Sequence, residues 1–131
     1  MYNYMLKGKT ALVSGASKGI GKAIAIKFAE KGAFIGINYL SNDSDADDTL
    51  QKVKNVGSDG VLLKGDISKR KDVENIIKHL IEKSHNIDIL VNNAGIYLRH
   101  SFDQLNSKTW NKVVLTNLTG CYYFCKMIIE T

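Results

Sequence analysis

The residues best placed for chemistry lie in one glycine-rich turn, Ser14-Gly15-Ala16-Ser17-Lys18-Gly19-Ile20-Gly21. An apolar run, Lys9 to Val13, precedes it, and an amphipathic pattern through Ile20, Ala23, Ile24, Ile26, Phe28 and Ala29 follows at once. A strand that passes through such a turn into a helix gathers unpaired backbone N–H groups at one point, facing the positive end of the helix dipole. That combination suits a phosphate. The glycines divide the work: a tight turn at Gly15, close backbone approach near Gly19, and close helix–strand packing at Gly21. The spacing is Gly-x-x-x-Gly-x-Gly rather than the common Gly-x-Gly-x-x-Gly, and no Gly-Lys-Ser/Thr follows to make a Walker A loop. A glycine-rich turn that binds nothing is the plain alternative.

Other reactive side chains are dispersed. Cys121 and Cys125 stand one helical turn apart, and His79, His85 and His100 offer no spacing that completes four metal ligands, so no metal site is expected. The two thiols read as small side chains on a packed helix face. The acidic stretch from Ser41 to Asp48 does not follow the EF-hand pattern and reads as a helix start with acids favourable to its dipole.

Elements that would position the turn follow in strict alternation. Strands are expected at Lys9–Val13, Ala33–Asn38, Gly60–Lys64 and Ile87–Val91. Helices are expected from about Lys18 to Lys31-Gly32, from Ser41 to about Val56 before Gly57, over Lys69–Ser84 with Ser68 as N-cap, and from Ser107 to Thr131 as one long apolar helix. A polar loop spans Arg99 to Asn106. Alternating strands and helices with short connections predict a parallel sheet covered on both faces. Right-handed crossovers with one reversal give the strand order 3-2-1-4.

Bulk properties narrow the function class. The 131 residues suffice for one domain, 1–131, without an internal boundary or repeat. Proline is absent, where an average chain of this length would hold about six, so Gly, Asn, Asp and Ser must make the breaks. The 18 basic and 13 acidic side chains give +5, but the lysines are scattered and no basic run interleaves with aromatics. A solvated surface that tolerates anionic cofactors is the reading preferred over a nucleic-acid surface. No apolar run is long enough to span a membrane, the first nine residues do not form a secretory signal, and the expected compartment is the cytoplasm.

Four motifs in order now resemble those of the short-chain dehydrogenase/reductases: Ser14 to Gly21, Asp66-Ile67 after the third strand, Asn92-Asn93-Ala94-Gly95 after the fourth, and Trp110 with Asn117-Leu118-Thr119-Gly120. Within that family the chain is similar to 3-oxoacyl carrier-protein reductases of fatty acid biosynthesis and to glucose dehydrogenase-like members. The resemblance covers the whole chain but only the first half of such a protein. It implies a Rossmann-type α/β fold that is incomplete here, truncated at its C-terminus. It also implies a dinucleotide cofactor held by Gly15, Ser17, Lys18, Gly19, Ile20, Gly21, Tyr39, Leu40, Ser41, Asp66, Ile67, Asn92, Ala94 and Gly95. Asp66 would accept from the adenine amino group, and the Ile67 backbone would donate back. Residues 92–95 would let the nicotinamide ribose pass close to backbone, although an Asn-Asn pair also suits a simple turn.

Charge points to NADP rather than NAD. Members preferring NAD carry an acid at the end of the second strand, where this chain has Tyr39, and Lys18 matches a basic residue of the NADP-preferring members. Leu40 departs from their frequent Arg or hydroxyl residue, with Ser41 adjacent. The family's chemistry uses Ser and Tyr-x-x-x-Lys, with an Asn in a proton relay that Asn117 matches; a polar residue distorting or capping a helix is the alternative for Asn117. Tyr122-Tyr123-Phe124-Cys125-Lys126 also spells Tyr-x-x-x-Lys. On a continuous helix at about 100° per residue, Tyr122 points about 140° from Asn117 and Lys126 about 180°. The pair is therefore rejected, and Tyr122 and Tyr123 are read as packing residues. The expected whole protein is an NADPH-dependent reductase of a carbonyl such as a 3-oxoacyl thioester, with the 131-residue chain alone inactive. The competing reading is a catalytically inactive nucleotide-binding or interaction module. The band Val113, Val114, Leu115, Leu118, Cys121, Phe124, Cys125, Ile128 and Ile129 is expected to form a homodimer or homotetramer contact through the helix 107–131.

Overall fold

The computed structural model describes residues 4–131, so the first three residues of the opening stretch lie outside the described residues. Strand β1 (Thr10–Val13) leads into α1 (Gly19–Glu30), β2 (Phe34–Tyr39), α2 (Asp43–Asn55), β3 (Gly60–Lys64), α3 (Arg70–Ser84) and β4 (Ile89–Val91). After a short 3₁₀ turn at Phe102–Gln104 come α4 (Ser107–Val114), a π turn (Leu115–Thr119) and α5 (Gly120–Ile129). All strands are parallel in the order β3-β2-β1-β4, as the alternation predicts. In register, Leu12 of β1 pairs with Gly36 on one side and Leu90 on the other.

Side-chain alternation divides the core between the sheet's two faces. Ala11, Val13, Ile35 and Ile37 pack with Ala25, Ala29 and Val53 of α1 and α2. Leu12 and Leu63 pack instead with Val73, Ile76, Ile77 and Leu80 of α3 and with Phe124 of α5. Gly36 lets α3 sit directly on β2: a Cβ there would come within 2.8 Å of Leu80 Cδ2. The two central strands, β1 and β2, are buried along almost their whole length, which is why they read as apolar runs rather than alternating ones.

Four expectations are corrected. Ser68 does not cap α3: Lys69 holds the N-cap position, without a side-chain bond, while the Ser68 hydroxyl turns back to Asp66 Oδ1 at 2.6 Å. The helix from Ser107 is not continuous; it widens over Leu115–Thr119 around Asn117 and ends at Ile129. Phe124 does not lie on an outer apolar band, because it is fully buried against α3. Cys125 is exposed rather than packed, and Cys121 is half-buried. Among the described residues no helix is long and apolar enough to cross a membrane.

Candidate cofactor site

The turns after β1, β2, β3 and β4 meet at the carboxyl edge of the sheet, where strand order reverses and ligands of open α/β sheets bind. Two buried polar side chains hold them together. Ser14, 1% exposed, donates from Oγ to Val91 O at 3.2 Å and accepts from the N–H of Asn93 at 3.0 Å and of Ala94 at 2.9 Å. Asn93 answers by donating from Nδ2 to Ser14 O and Gly15 O. Asn38, 2% exposed, accepts from Gly15 N–H and donates to the carbonyls of Leu63 and Gly65. One asparagine thus ties the glycine-rich turn to both β2 and β3.

Gly15 (φ +63°) and Gly19 (φ +58°) adopt left-handed backbone that other residues rarely take. A Cβ on Gly15 would lie 2.9 Å from Ala94 Cα, whereas one on Gly19 would meet open space. Gly21 is needed for packing: its Cβ would come within 2.5 Å of Asn93 Nδ2. The first turn of α1 contains no acid, and its N-cap, Lys18, makes no side-chain cap bond. Its N–H groups are therefore available to an anion, with a lysine beside them. Lys18 makes no ion pair among the described residues.

A cavity of about 520 Å³ lies over this edge. Gly15, Ser17, Lys18, Tyr39, Leu40, Ser41, Asp66, Ile67, Ala94 and Gly95 line it, ten of the residues expected from the sequence. Asp66 is held by its neighbours: its Oδ1 accepts from Ser68 N–H at 3.0 Å, and its own N–H donates to Asp72 Oδ2 at 2.8 Å. Ile67 packs against the start of α5, where a Cβ on Gly120 would lie 2.9 Å from Ile67 Cδ1.

Five expected residues do not line the cavity. Gly19 and Gly21 shape the turn, and Ile20 stands 74% exposed beside it. Asn92 directs its amide to Cys125 Sγ at 3.5 Å. Asn117 locks onto the loop after β4: Ile96 N–H donates to its Oδ1 and its Nδ2 donates to Ile96 O, both at 2.8 Å. The π turn carries this contact, and the Cys121 thiol donates to Asn117 O at 3.2 Å. Wide turns of this kind inside α-helices are frequent at functional sites. Neither Tyr122 nor Lys126 lines the cavity; Tyr122 is exposed, Tyr123 packs against the α3 core, and Lys126 pairs with Glu130 at 2.6 Å.

The lining includes residues that the sequence reading passed over. Asn93 lies within the Asn92–Gly95 motif, Gly65 and Ser68 flank Asp66-Ile67, and Asn38 ends the second expected strand. Asn42 and Asp45 were read only as a helix start. Lys112 and Thr116 enter from α4 and the π turn at a spacing of four, one face of a helix. Ile96 follows the recognised loop.

At the end of β2, Tyr39 is buried and donates its hydroxyl to Asp43 Oδ1 at 2.9 Å. Burial, reinforced by that carboxylate, pushes its phenol pKa up. Asp43 is held below the usual carboxylate range by Lys64 and then by the Tyr39 hydroxyl. An acid therefore does stand near this strand end, but it is already engaged by Lys64.

Comparison with known proteins agrees with this architecture. A family model of the short chain dehydrogenases matches residues 9–131. The chain is 33% identical over 114 residues to a 3-oxoacyl-acyl-carrier-protein reductase of Staphylococcus epidermidis, covering 87% of this chain and 47% of that protein. It is 35% identical over 126 residues to glucose 1-dehydrogenase 2 of Bacillus subtilis, covering 95% and 49%. A crystal structure of a short chain dehydrogenase from Burkholderia cenocepacia in complex with NADP superposes with a TM-score of 0.92 at 30% identity, over 95% of this chain and 51% of that one. The chain spans about half the length of the curated relatives it matches. On its sequence, its sheet order and its sheet-edge turns alike, this chain belongs to the short-chain dehydrogenase family.

Proposed function

We propose that the cavity at the carboxyl edge of the sheet holds a nicotinamide dinucleotide, NADP(H) in preference to NAD(H). The observation that carries this reading is the uncapped, acid-free first turn of α1 beside Lys18, opening on the same cavity as Asp66, Ile67, Ala94 and Gly95. The N–H groups of that turn would take the pyrophosphate. The Asp66 carboxylate and Ile67 backbone would take the adenine, and Ala94 and Gly95 would flank the ribose nearest the nicotinamide. Lys18 and Ser41 would meet a 2′-phosphate, since Asp43 is engaged by Lys64 and Tyr39.

The bound cofactor supplies a hydride. The residues of this chain bind and orient it, and Asn117 fixes the Ile96 loop on which the reacting end would rest. We infer that the whole protein is a cytoplasmic, homo-oligomeric reductase of a carbonyl such as a 3-oxoacyl thioester. Its proton donor would come from the Ser and Tyr-x-x-x-Lys that the family resemblance implies, not from Tyr122 and Lys126. The relatives' activities, a 3-oxoacyl reductase and a glucose dehydrogenase, support a carbonyl–alcohol interconversion.

The test is titration of the chain with NADPH and NADH, followed by nicotinamide fluorescence. NADPH is expected to bind more tightly. Lys18→Glu is expected to weaken NADPH roughly 5- to 150-fold, from about 1–3 kcal/mol for a charge-assisted contact, and to leave NADH nearly unchanged. Equal dissociation constants for the two cofactors in the wild-type chain would refute the preference.

A further inference from the structure

Helix α2 carries four acids, Asp43, Asp45, Asp47 and Asp48, all in its first half, so its negative charge is concentrated toward the cavity end. Their surroundings differ. Asp43 is engaged by Lys64 and the Tyr39 hydroxyl. Asp48 is engaged by Lys22 and Lys52. Asp47 is exposed and does not line the cavity. Asp45 alone among them lines it, together with Lys18, Leu40, Ser41 and Asn42, and its carboxylate makes no ion pair among the described residues.

Asp45 is also held in place. Its N–H donates to Asn42 Oδ1 at 3.0 Å. The fully buried Thr49 hydroxyl shares its one proton between Asp45 O at 3.1 Å and Ser17 O at 3.2 Å. One hydroxyl thus bolts the first turn of α2 to the glycine-rich turn, and the backbone of Asp45 cannot move away from Lys18 without breaking it.

We propose that Asp45 is a specificity-determining residue of the cofactor cavity: its carboxylate opposes Lys18 and limits the preference for a 2′-phosphorylated dinucleotide, so that the site accepts both NADP(H) and NAD(H). The proposal rests on the dinucleotide reading of the cavity. A 2′-phosphate carries nearly two negative charges at neutral pH, so a carboxylate carried by a fixed backbone on the same wall repels it while Lys18 attracts it. A free 2′-hydroxyl is instead a donor that a carboxylate can accept from. One side chain therefore disfavours one cofactor and favours the other.

The experiment measures NADPH and NADH dissociation constants for the wild-type chain, Asp45→Asn, Asp45→Ser and Asp47→Asn. Adenosine 2′,5′-bisphosphate and 5′-AMP serve as competitors that isolate the adenosine end, and a thermal melt of each variant reports its folding. Asp45→Asn is expected to tighten NADPH and the bisphosphate about 3- to 10-fold, with NADH and AMP unchanged or weaker. Asp45→Ser should shift the ratio in the same direction. Asp47→Asn, which removes an equal charge from the exposed side of the helix, should not shift it. A ratio unchanged in both Asp45 variants, or shifted equally by Asp47→Asn, would overturn the proposal while leaving the dinucleotide site intact. Failure of the wild-type chain to bind either dinucleotide would overturn the site itself and this proposal with it.

Discussion

Removing the Ser14 hydroxyl tests how the site is held together. Ser14→Ala deletes one oxygen from a residue 1% exposed and adds no bulk. Three hydrogen bonds are lost, but they are not equal. Asn93 N–H keeps a second acceptor in Val91 O at 3.1 Å, and Val91 O still accepts from Ser14 N–H at 3.0 Å. Ala94 N–H loses the Oγ acceptor at 2.9 Å and has no other among the described residues. One orphaned backbone donor costs about 1–3 kcal/mol, and the weakened Asn93 contact adds a fraction of that. The expected loss is about 2 kcal/mol, below the sum of three full hydrogen bonds. With a urea m-value of about 2 kcal/mol/M, the unfolding midpoint should fall by about 1 M at unchanged m. Amide hydrogen exchange adds a local reading: protection of Ala94 should fall more than that of Leu12 in the middle of β1. A midpoint within about 0.15 M of wild type, or unchanged relative protection at Ala94, would refute the argument that this hydroxyl joins the β1 and β4 turns.

Two further outcomes follow from the structure. Asp88 accepts from Thr10 N–H at 2.8 Å, Asn86 Nδ2 at 2.9 Å and Lys9 Nζ at 3.2 Å. The Thr10 N–H chiefly, with Lys9 after it, holds the Asp88 carboxyl below the ordinary Asp value of 3.8. A depressed folded-state pKa stabilises above the unfolded value and is lost as pH falls through the folded one. Stability should therefore decline as pH drops below about 4, and Asp88→Asn should flatten that part of the urea-midpoint profile; an unaltered profile would count against it. The exposed stripe Trp110, Leu118, Tyr122 and Ile129 is expected to drive self-association, so the chain should sediment as a dimer or tetramer at micromolar concentration. Leu118→Glu should shift it toward monomer, and a wild-type chain that already sediments as a monomer would refute the contact.

The order of strands and helices, the parallel sheet and the sheet-edge turns were legible in the sequence, because each is set by local pattern: apolar runs of strand length, helical periodicity, and glycine where backbone must turn. Strand order followed from crossover handedness, which the chain's chirality imposes. What tertiary structure decided lies where distant segments meet. Ser14 reads as one more small turn residue until β4 brings Asn93 and Ala94 against it across some 80 positions of sequence. Asn38 reads as a strand end until the β1 and β3 turns present it with one donor and two acceptors. Asn117 was legible as a candidate, but the helix around it reads as continuous. Its widening accompanies the reciprocal bonds to Ile96, a long-range partner that periodicity does not encode. Phe124 likewise belongs to an apolar band by its spacing alone. Only the docking of α5 on α3 decides which edge of that band is buried, leaving Phe124 inside and Leu118 in solvent.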